Sequence, residues 1–173
     1  MYDIRALNLD EEELNKTQTL LTEVFPKSSH FSTQYLKWQY LENPDGNAIG
    51  YNAYDGDKLI AHYACQPMRS QLHQKEAKGL LSINTAVHSD YRGKNLFKDL
   101  ANKTFYSAKE KGYAFIIGVA NANSTTLFRK WFKFNLICPL DVKIGFGCIS
   151  YQPEESTHKY QRIWSNEALN WRL

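Results

Sequence analysis

The sequence predicts an α/β fold: a twisted mixed sheet of about six strands with about four helices. Three observations predict it. Leu80 to Val87 (LLSINTAV), an amphipathic stretch from Leu96 to Lys111, and Tyr113 to Ala120 (YAFIIGVA) form a strand–helix–strand unit, whose crossover should be right-handed and whose strands should be parallel. Ahead of it lie two strands joined by the turn DGD at Asp55 to Asp57, the pattern of an antiparallel hairpin. The first 40 residues carry apolar side chains at helical spacing.

A short strand opens the chain. Asp10 can cap a first helix, and Glu11, Glu12 and Glu13 place carboxylates where the helix dipole favours them. Leu14, Leu21, Val24 and Phe25 continue the stripe until Pro26 stops it. A second helix starts near Ser32, carries Tyr35, Leu36, Trp38, Gln39 and Tyr40, and ends at the turn NPDG. The hairpin then pairs Ile49–Tyr54 with Leu59–Gln66. Along the crossover helix Phe97, Leu100, Ala101, Phe105 and Ala108 share one face, and Gly112 is its stop. Tyr113–Ala120 is apolar enough for a strand covered on both faces. Asn121 to Ser124 (NANS) caps a helix from Thr125 to Lys133, and Leu136–Cys148 reads as one or two closing strands.

Composition limits the function classes. With 173 residues, 43% hydrophobic and 23% charged, the chain has the size and balance of one soluble globular domain. MYDIRALNLDEEE has neither a basic nor an apolar leader segment, and no apolar run reaches the ~20 residues of a membrane span, so a cytoplasmic location is expected. A net charge of +3 gives no argument for a nucleic-acid partner. Cys65, Cys138 and Cys148 are widely spaced, as reduced thiols would be. His62 and Cys65 sit three apart on a predicted strand and therefore point to opposite faces, so no metal site is expected. The GxSxG, GxxxxGK[ST] and GxGxxG patterns do not occur.

Chemistry is concentrated in YRGKNLF, Tyr91 to Phe97. A helix N-terminus carries unpaired backbone N–H groups and partial positive charge, Gly93 allows close backbone approach, and Arg92 and Lys94 add charge. On physics alone this is a phosphate site or a solvated basic turn. VHSDYRGKNLF, Val87 to Phe97, resembles the acetyl-CoA-binding motif Q/R-x-x-G-x-G/A of the GNAT superfamily of N-acetyltransferases. NANSTTLFRKWFKF, Asn121 to Phe134, resembles the family's next motif at the family's spacing, and the order of elements fits over residues 1–148.

The resemblance implies a GNAT-like acyl-CoA N-acyltransferase fold with acetyl-CoA as cosubstrate and no metal. It implies that the amides of Arg92, Gly93, Lys94, Asn95, Leu96 and Phe97 surround the pyrophosphate. Ala86, Val87 and His88 would pair with the pantetheine arm where two strands splay, with Asn121 opposite. An N–H near Val87 would polarise the acetyl carbonyl, and an amine would attack the thioester directly. The sequence departs from the family at three places. Asn95 and Phe97 stand where Gly or Ala is usual, and Phe97 leaves the amides free only if its ring turns into the core. Phe128 lines the cofactor site where many members carry the Tyr that protonates the leaving thiolate, and Phe has no proton to give.

The strand GLLSINTAV lacks the carboxylate that many relatives place there. Catalytic candidates are His62 and His88, with Glu76 behind them, and Asn84 as a group that orients an amine or a water. Each has a plainer reading: a hydrogen-bonded core histidine, a loop histidine, a solvated glutamate and a satisfied core amide. On the acceptor side Trp38, Tyr63 and Asn84 are substrate candidates, beside His30, Phe31, Tyr35 and Tyr40, with helix-to-sheet packing as the competing role for the aromatics.

Residues 165–172 (SNEALNWR) align with residues 32–39 (STQYLKWQ) at an offset of 133, matching Ser, Leu and Trp. Residues 1–148 are thus read as the acetyltransferase domain. Residues 149–173 are either linker plus the start of a second copy or a docked C-terminal helix. The predicted function is acetyl transfer from acetyl-CoA to a small-molecule primary amine such as an amino sugar. The other reading is a non-catalytic CoA-binding or interaction module, half of a tandem protein; monomer, homodimer and second-domain assemblies all remain open.

Overall fold

A computed structural model describes residues 2–138 and 160–173. The elements run β1 (Asp3–Ala6), α1 (Glu11–Val24), α2 (Thr33–Leu41), β2 (Ile49–Asp55), β3 (Lys58–Leu72), β4 (Lys75–Val87), α3 (Leu96–Glu110), β5 (Phe115–Gly118), α4 (Ala122–Phe132), β6 (Tyr160–Arg162) and α5 (Asn166–Arg172). The sheet order is β1-β2-β3-β4-β5, with β6 added antiparallel to β3. Among the described residues only β4 and β5 pair in parallel, as a crossover through α3 requires.

Helix starts follow local chemistry. The Asp10 carboxylate accepts from the Glu13 amide at 2.9 Å, and the Ser32 hydroxyl from the Tyr35 amide at 3.1 Å. α3 buries Leu96, Phe97, Leu100, Ala101, Thr104 and Ala108 against β2 and β3. α1 and α2 cover the other face, where Leu14, Leu20, Leu21, Leu36 and Tyr40 pack with Ala64 and Ala86. Each such leucine is worth roughly 1.5–3 kcal/mol of burial, so the two layers hold the sheet from both sides.

Two elements exceed their expected length. β3 and β4 continue past Gln66 and back from Leu80 into a hairpin closed at His73 and Gln74, both with positive φ. That turn lacks the Asn-Gly or Gly signal usual for its type, and the strands expected from sequence stop at Gln66 and resume only at Leu80. β6 was not expected, and β5 is shorter than Tyr113–Ala120. The closing strands expected in Leu136–Cys148 and the 148/149 boundary lie almost wholly outside the described residues; Leu136, Ile137 and Cys138 belong to no strand.

α5 docks on α2 through a reciprocal contact. Trp38 Nε1 donates to the Trp171 carbonyl at 2.9 Å, Trp171 Nε1 donates to the Trp38 carbonyl at 3.1 Å, and the rings stack at 4.9 Å. Ser165 caps α5 through the Ala168 amide as Ser32 caps α2 through Tyr35. The two segments that match at an offset of 133 therefore face each other.

Candidate acyl-transfer site

β4 and β5 stay paired only from Gly79–Phe115 to Ser82–Gly118. Their start is tight: a Cβ on Gly79 would lie 2.3 Å from the Phe115 ring. Beyond Ser82 the strands part, β4 running on to Val87 while Val119–Asn121 turn into α4. A β-bulge sits at this opening. Ala64 pairs with Ile83 and His62 with Ala86, so Tyr63 faces both Asn84 and Thr85. Asn84 takes φ 44°, a left-handed conformation that Asn tolerates better than other side-chain-bearing residues.

The splay opens into a cavity of about 430 Å³ bounded by Ser82–Thr85, Gly118–Asn121, Phe25, Phe31 and Phe128. A second cavity of about 540 Å³ leads from it to Arg92, Gly93, Asn95 and Leu96. Phe25, Thr85, Asn121, Ser124 and Phe128 line both, so the two form one cleft from the N-terminus of α3 to the gap between the strands.

At the α3 end, Gly93 has φ 78° and Asn95, the N-cap, φ 60° with no side-chain cap bond. The first amides of α3 therefore have neither intrahelical nor capping partners. The Phe97 ring turns inward against Tyr63, Phe128, Trp131 and Phe132 and is 9% exposed, so its bulk leaves the loop's backbone clear. Arg92 borders the cleft, whereas Lys94 Nζ bonds Tyr2 Oη at 2.9 Å and lies over the Tyr91 ring. Asn121 caps α4, its carboxamide oxygen accepting from the Ser124 amide at 2.9 Å. A helix N-terminus with open amides, two left-handed residues and an arginine fits a pyrophosphate, and the apolar and hydroxyl-lined groove beyond fits an extended amide-bearing arm.

The structure separates several residues from this cleft. His62 is fully buried, with Nε2 2.9 Å from Tyr40 Oη and Nδ1 2.7 Å from Asn52 Oδ1. Burial pulls its pKa down to about 3, and its ring does not line the cleft, so it is not placed as a general base. His88 lies with Nε2 2.9 Å from Lys58 Nζ and 3.4 Å from Glu23, and its amide donates to the Ile60 carbonyl, continuing toward β3. Glu76 pairs with Arg69 at 2.8 Å in the β3–β4 hairpin. Tyr63 is buried on the α3 face with its hydroxyl on Ser82 at 3.0 Å, and Trp38 is taken by Trp171. Ala86 is buried beside α1 and α2, leaving only its backbone for a ligand, while Val87 lines the cleft. Asn84 does line the acyl end. Phe128 sits at the middle of the cleft wall, packed on Phe97.

Phe25, Ser28, Ser82, Thr85 and Ser124 also form the cleft, and sequence reasoning gave them no site role. Ser82 and Thr85 stood in plain view in LLSINTAV, but only the splay exposes them. His62 and Cys65 project to opposite faces, Cys65 packing on the α3 side. Among the described residues no group of three metal-ligating side chains occurs, and no helix is long and apolar enough to cross a membrane.

A family model described as "Acetyltransferase (GNAT) domain" matches residues 3–130. The chain belongs to the GNAT family of acetyltransferases. This GNAT domain is an acyltransferase by membership. It is similar to an aminoglycoside acetyltransferase from an uncultured soil metagenomic sample, with TM-score 0.63 and 16% identity, over 84% of this chain and 99% of that one. It is similar to glucosamine-6-phosphate N-acetyltransferase from Arabidopsis thaliana, with TM-score 0.63 and 14% identity, over 84% and 99% of the two chains. A probable N-acyltransferase from Enterococcus faecalis matches at TM-score 0.62 and 12% identity, over 75% of this GNAT domain and 31% of that longer chain. At these identities the likeness is one of fold. No curated protein matches by sequence.

Proposed function

We propose that this GNAT domain transfers acetyl from acetyl-CoA to a small-molecule primary amine, an amino sugar being the acceptor class. The observation that carries the reading is the continuous cleft from the open amides at Arg92–Leu96 to the β4–β5 splay. Acetyl-CoA supplies an activated thioester: the amine nitrogen forms the new C–N bond as the C–S bond breaks, and the proton lost from nitrogen ends on the thiol or in solvent. The chain's part is to hold the diphosphate at the α3 N-terminus, lay the arm between β4 and Asn121, and polarise the carbonyl by an amide freed at the bulge or near Val87. Phe25 and Phe31 offer aromatic faces, and Ser28, Asn84 and Thr85 offer hydrogen-bonding groups at the acyl end. Aromatic faces combined with polar groups suit a sugar. Two of the fold neighbours act, by name, on aminoglycosides and glucosamine-6-phosphate, which supports the same class.

Calorimetric titration with acetyl-CoA and CoA tests the cofactor half, on wild type and on Arg92→Ala/Lys94→Ala. Micromolar binding, on the order of −8 kcal/mol, that weakens in the double variant is the expected result. An amine panel with hexosamines, polyamines and simple alkylamines tests the acceptor half, and hexosamines should show the highest kcat/KM. A second reading, a non-catalytic CoA-binding module, is favoured by Phe128 and by an acyl end that no titratable side chain lines among the described residues. Tight acetyl-CoA binding with no transfer to any amine would select it.

A further inference from the structure

A chain of buried polar side chains runs through the α1/α2 side of the sheet and ends at the cleft. Asn52 Nδ2 lies 3.3 Å from Glu13 Oε2, Asn52 Oδ1 2.7 Å from His62 Nδ1, and His62 Nε2 2.9 Å from Tyr40 Oη. Asn84 Nδ2 is 2.9 Å from the same Tyr40 oxygen and 2.5 Å from Gln39 Oε1. Asn52, His62 and Tyr40 are fully buried. These six residues come from five elements, α1, β2, β3, α2 and β4.

Hydrogen-bond valence fixes the direction of every link. Glu13, as a carboxylate, only accepts, so Asn52 turns its NH₂ toward Glu13 and its oxygen toward His62. His62 Nδ1 must then carry the ring hydrogen. Burial holds the imidazole neutral down to a pKa of about 3, so Nε2 has no hydrogen and accepts from the Tyr40 hydroxyl. Tyr40 has spent its single hydrogen and can only accept from Asn84. The second hydrogen of Asn84 goes to Gln39. Both donors of the Asn84 carboxamide are thus used inside the fold. Its Oδ1 has no hydrogen-bond partner among the described residues, on a residue that lines the acyl end of the cleft.

We infer that Glu13, Asn52, His62 and Tyr40 are positioning residues that hold Asn84 as a fixed hydrogen-bond acceptor, whose Oδ1 takes an N–H of the acceptor amine. This rests on the acetyltransferase reading above and adds to it a specificity element. The site selects a donor, a primary or secondary amine, over a group that can only accept. An amine held through N–H to Oδ1 keeps its lone pair free for attack, which is the geometry direct transfer needs.

Tyr40→Phe keeps the ring and removes the hydroxyl through which the signal passes. The expected result is a tenfold fall in kcat/KM for the amine with the Kd for acetyl-CoA unchanged. Glu13→Gln, whose amide can present either group to Asn52, should lower the same parameter about threefold from the far end of the chain. Asn84→Gly should lower it as well, and adding Tyr40→Phe to Asn84→Gly should lower it no further, since both act through one carboxamide. The side-chain NH₂ resonances of Asn84 give a readout that needs no substrate: they should shift in Tyr40→Phe and in Glu13→Gln. A purely structural network would lower the melting temperature of these variants while leaving the amine kcat/KM of Tyr40→Phe and Glu13→Gln in place; a Tyr40→Phe loss that persists on top of Asn84→Gly would show that Tyr40 acts through another group. Either of those results overturns the inference. Wild type that transfers acetyl to no amine would overturn the proposed function and the amine contact with it. The Asn84 resonances would still decide whether the relay sets the carboxamide.

Discussion

The two ends of the cleft are built by opposite means. The end at the α3 N-terminus is local: Arg92 to Leu96 are consecutive, and they present backbone amides and two left-handed turns. The other end is assembled from α1, α2 and three strands, and it presents one carboxamide held through four other side chains. A backbone site tolerates side-chain change as long as the chain path survives, which is how Asn95 and Phe97 can replace small residues. A side-chain relay tolerates little, because every link has a defined donor.

The comparison can be broken most forcefully from beneath. Phe97 supports the loop's amides from the core, so Phe97→Ala should cost about 3–5 kcal/mol of stability and weaken acetyl-CoA binding with it, measurable by urea unfolding and calorimetry. Arg92→Ala/Lys94→Ala should leave unfolding nearly unchanged and weaken acetyl-CoA by about tenfold or more, or ~1.4 kcal/mol, with Arg92 dominating because Lys94 is drawn to Tyr2 and Tyr91.

At the acyl end pH is the probe. His62 has a folded pKa near 3, below its unfolded value, so the unfolded chain binds more protons as pH falls. Its contribution is complete above an unfolded pKa of about 6.5 and is lost towards pH 3, at about 1.4 kcal/mol per pH unit. Urea midpoints at pH 7, 6, 5 and 4 should fall accordingly, and His62→Gln should flatten that slope. The smallest effect belongs to Gly93→Ala. Nothing lies within 4 Å of the new Cβ, so only the left-handed backbone resists it, at about 1 kcal/mol. Acetyl-CoA affinity should fall with it while the Asn84 resonances stay put.

Much of this was legible in advance. Asp10 as a cap, a helix start near Ser32, the α3 stripe, the hairpin at Asp55–Asp57 and the parallel β4–β5 pair all rest on short-range patterns. The β3–β4 extension was not, since His73-Gln74 carries no turn chemistry and tertiary pairing overrode it. From sequence, side chains that can do chemistry make His62 a candidate base and Tyr63 and Trp38 candidate substrate contacts. Burial at 0% for His62 and Tyr63, and the Trp171 stack for Trp38, gave them other partners. The match at an offset of 133 was visible as text, but that the two segments would bond reciprocally was not.

By itself the sequence determined the α/β fold class, the helix starts and the glycine turn leading into α3 at Tyr91–Phe97, because each depends on residues within a few positions of one another. Tertiary structure alone decided where the β4–β5 pair parts, which polar residues of LLSINTAV face the opening, and which way the Asn84 carboxamide points. Those depend on hydrogen-bond partners up to 45 residues apart, whose donors and acceptors are matched only once the sheet and both early helices are packed.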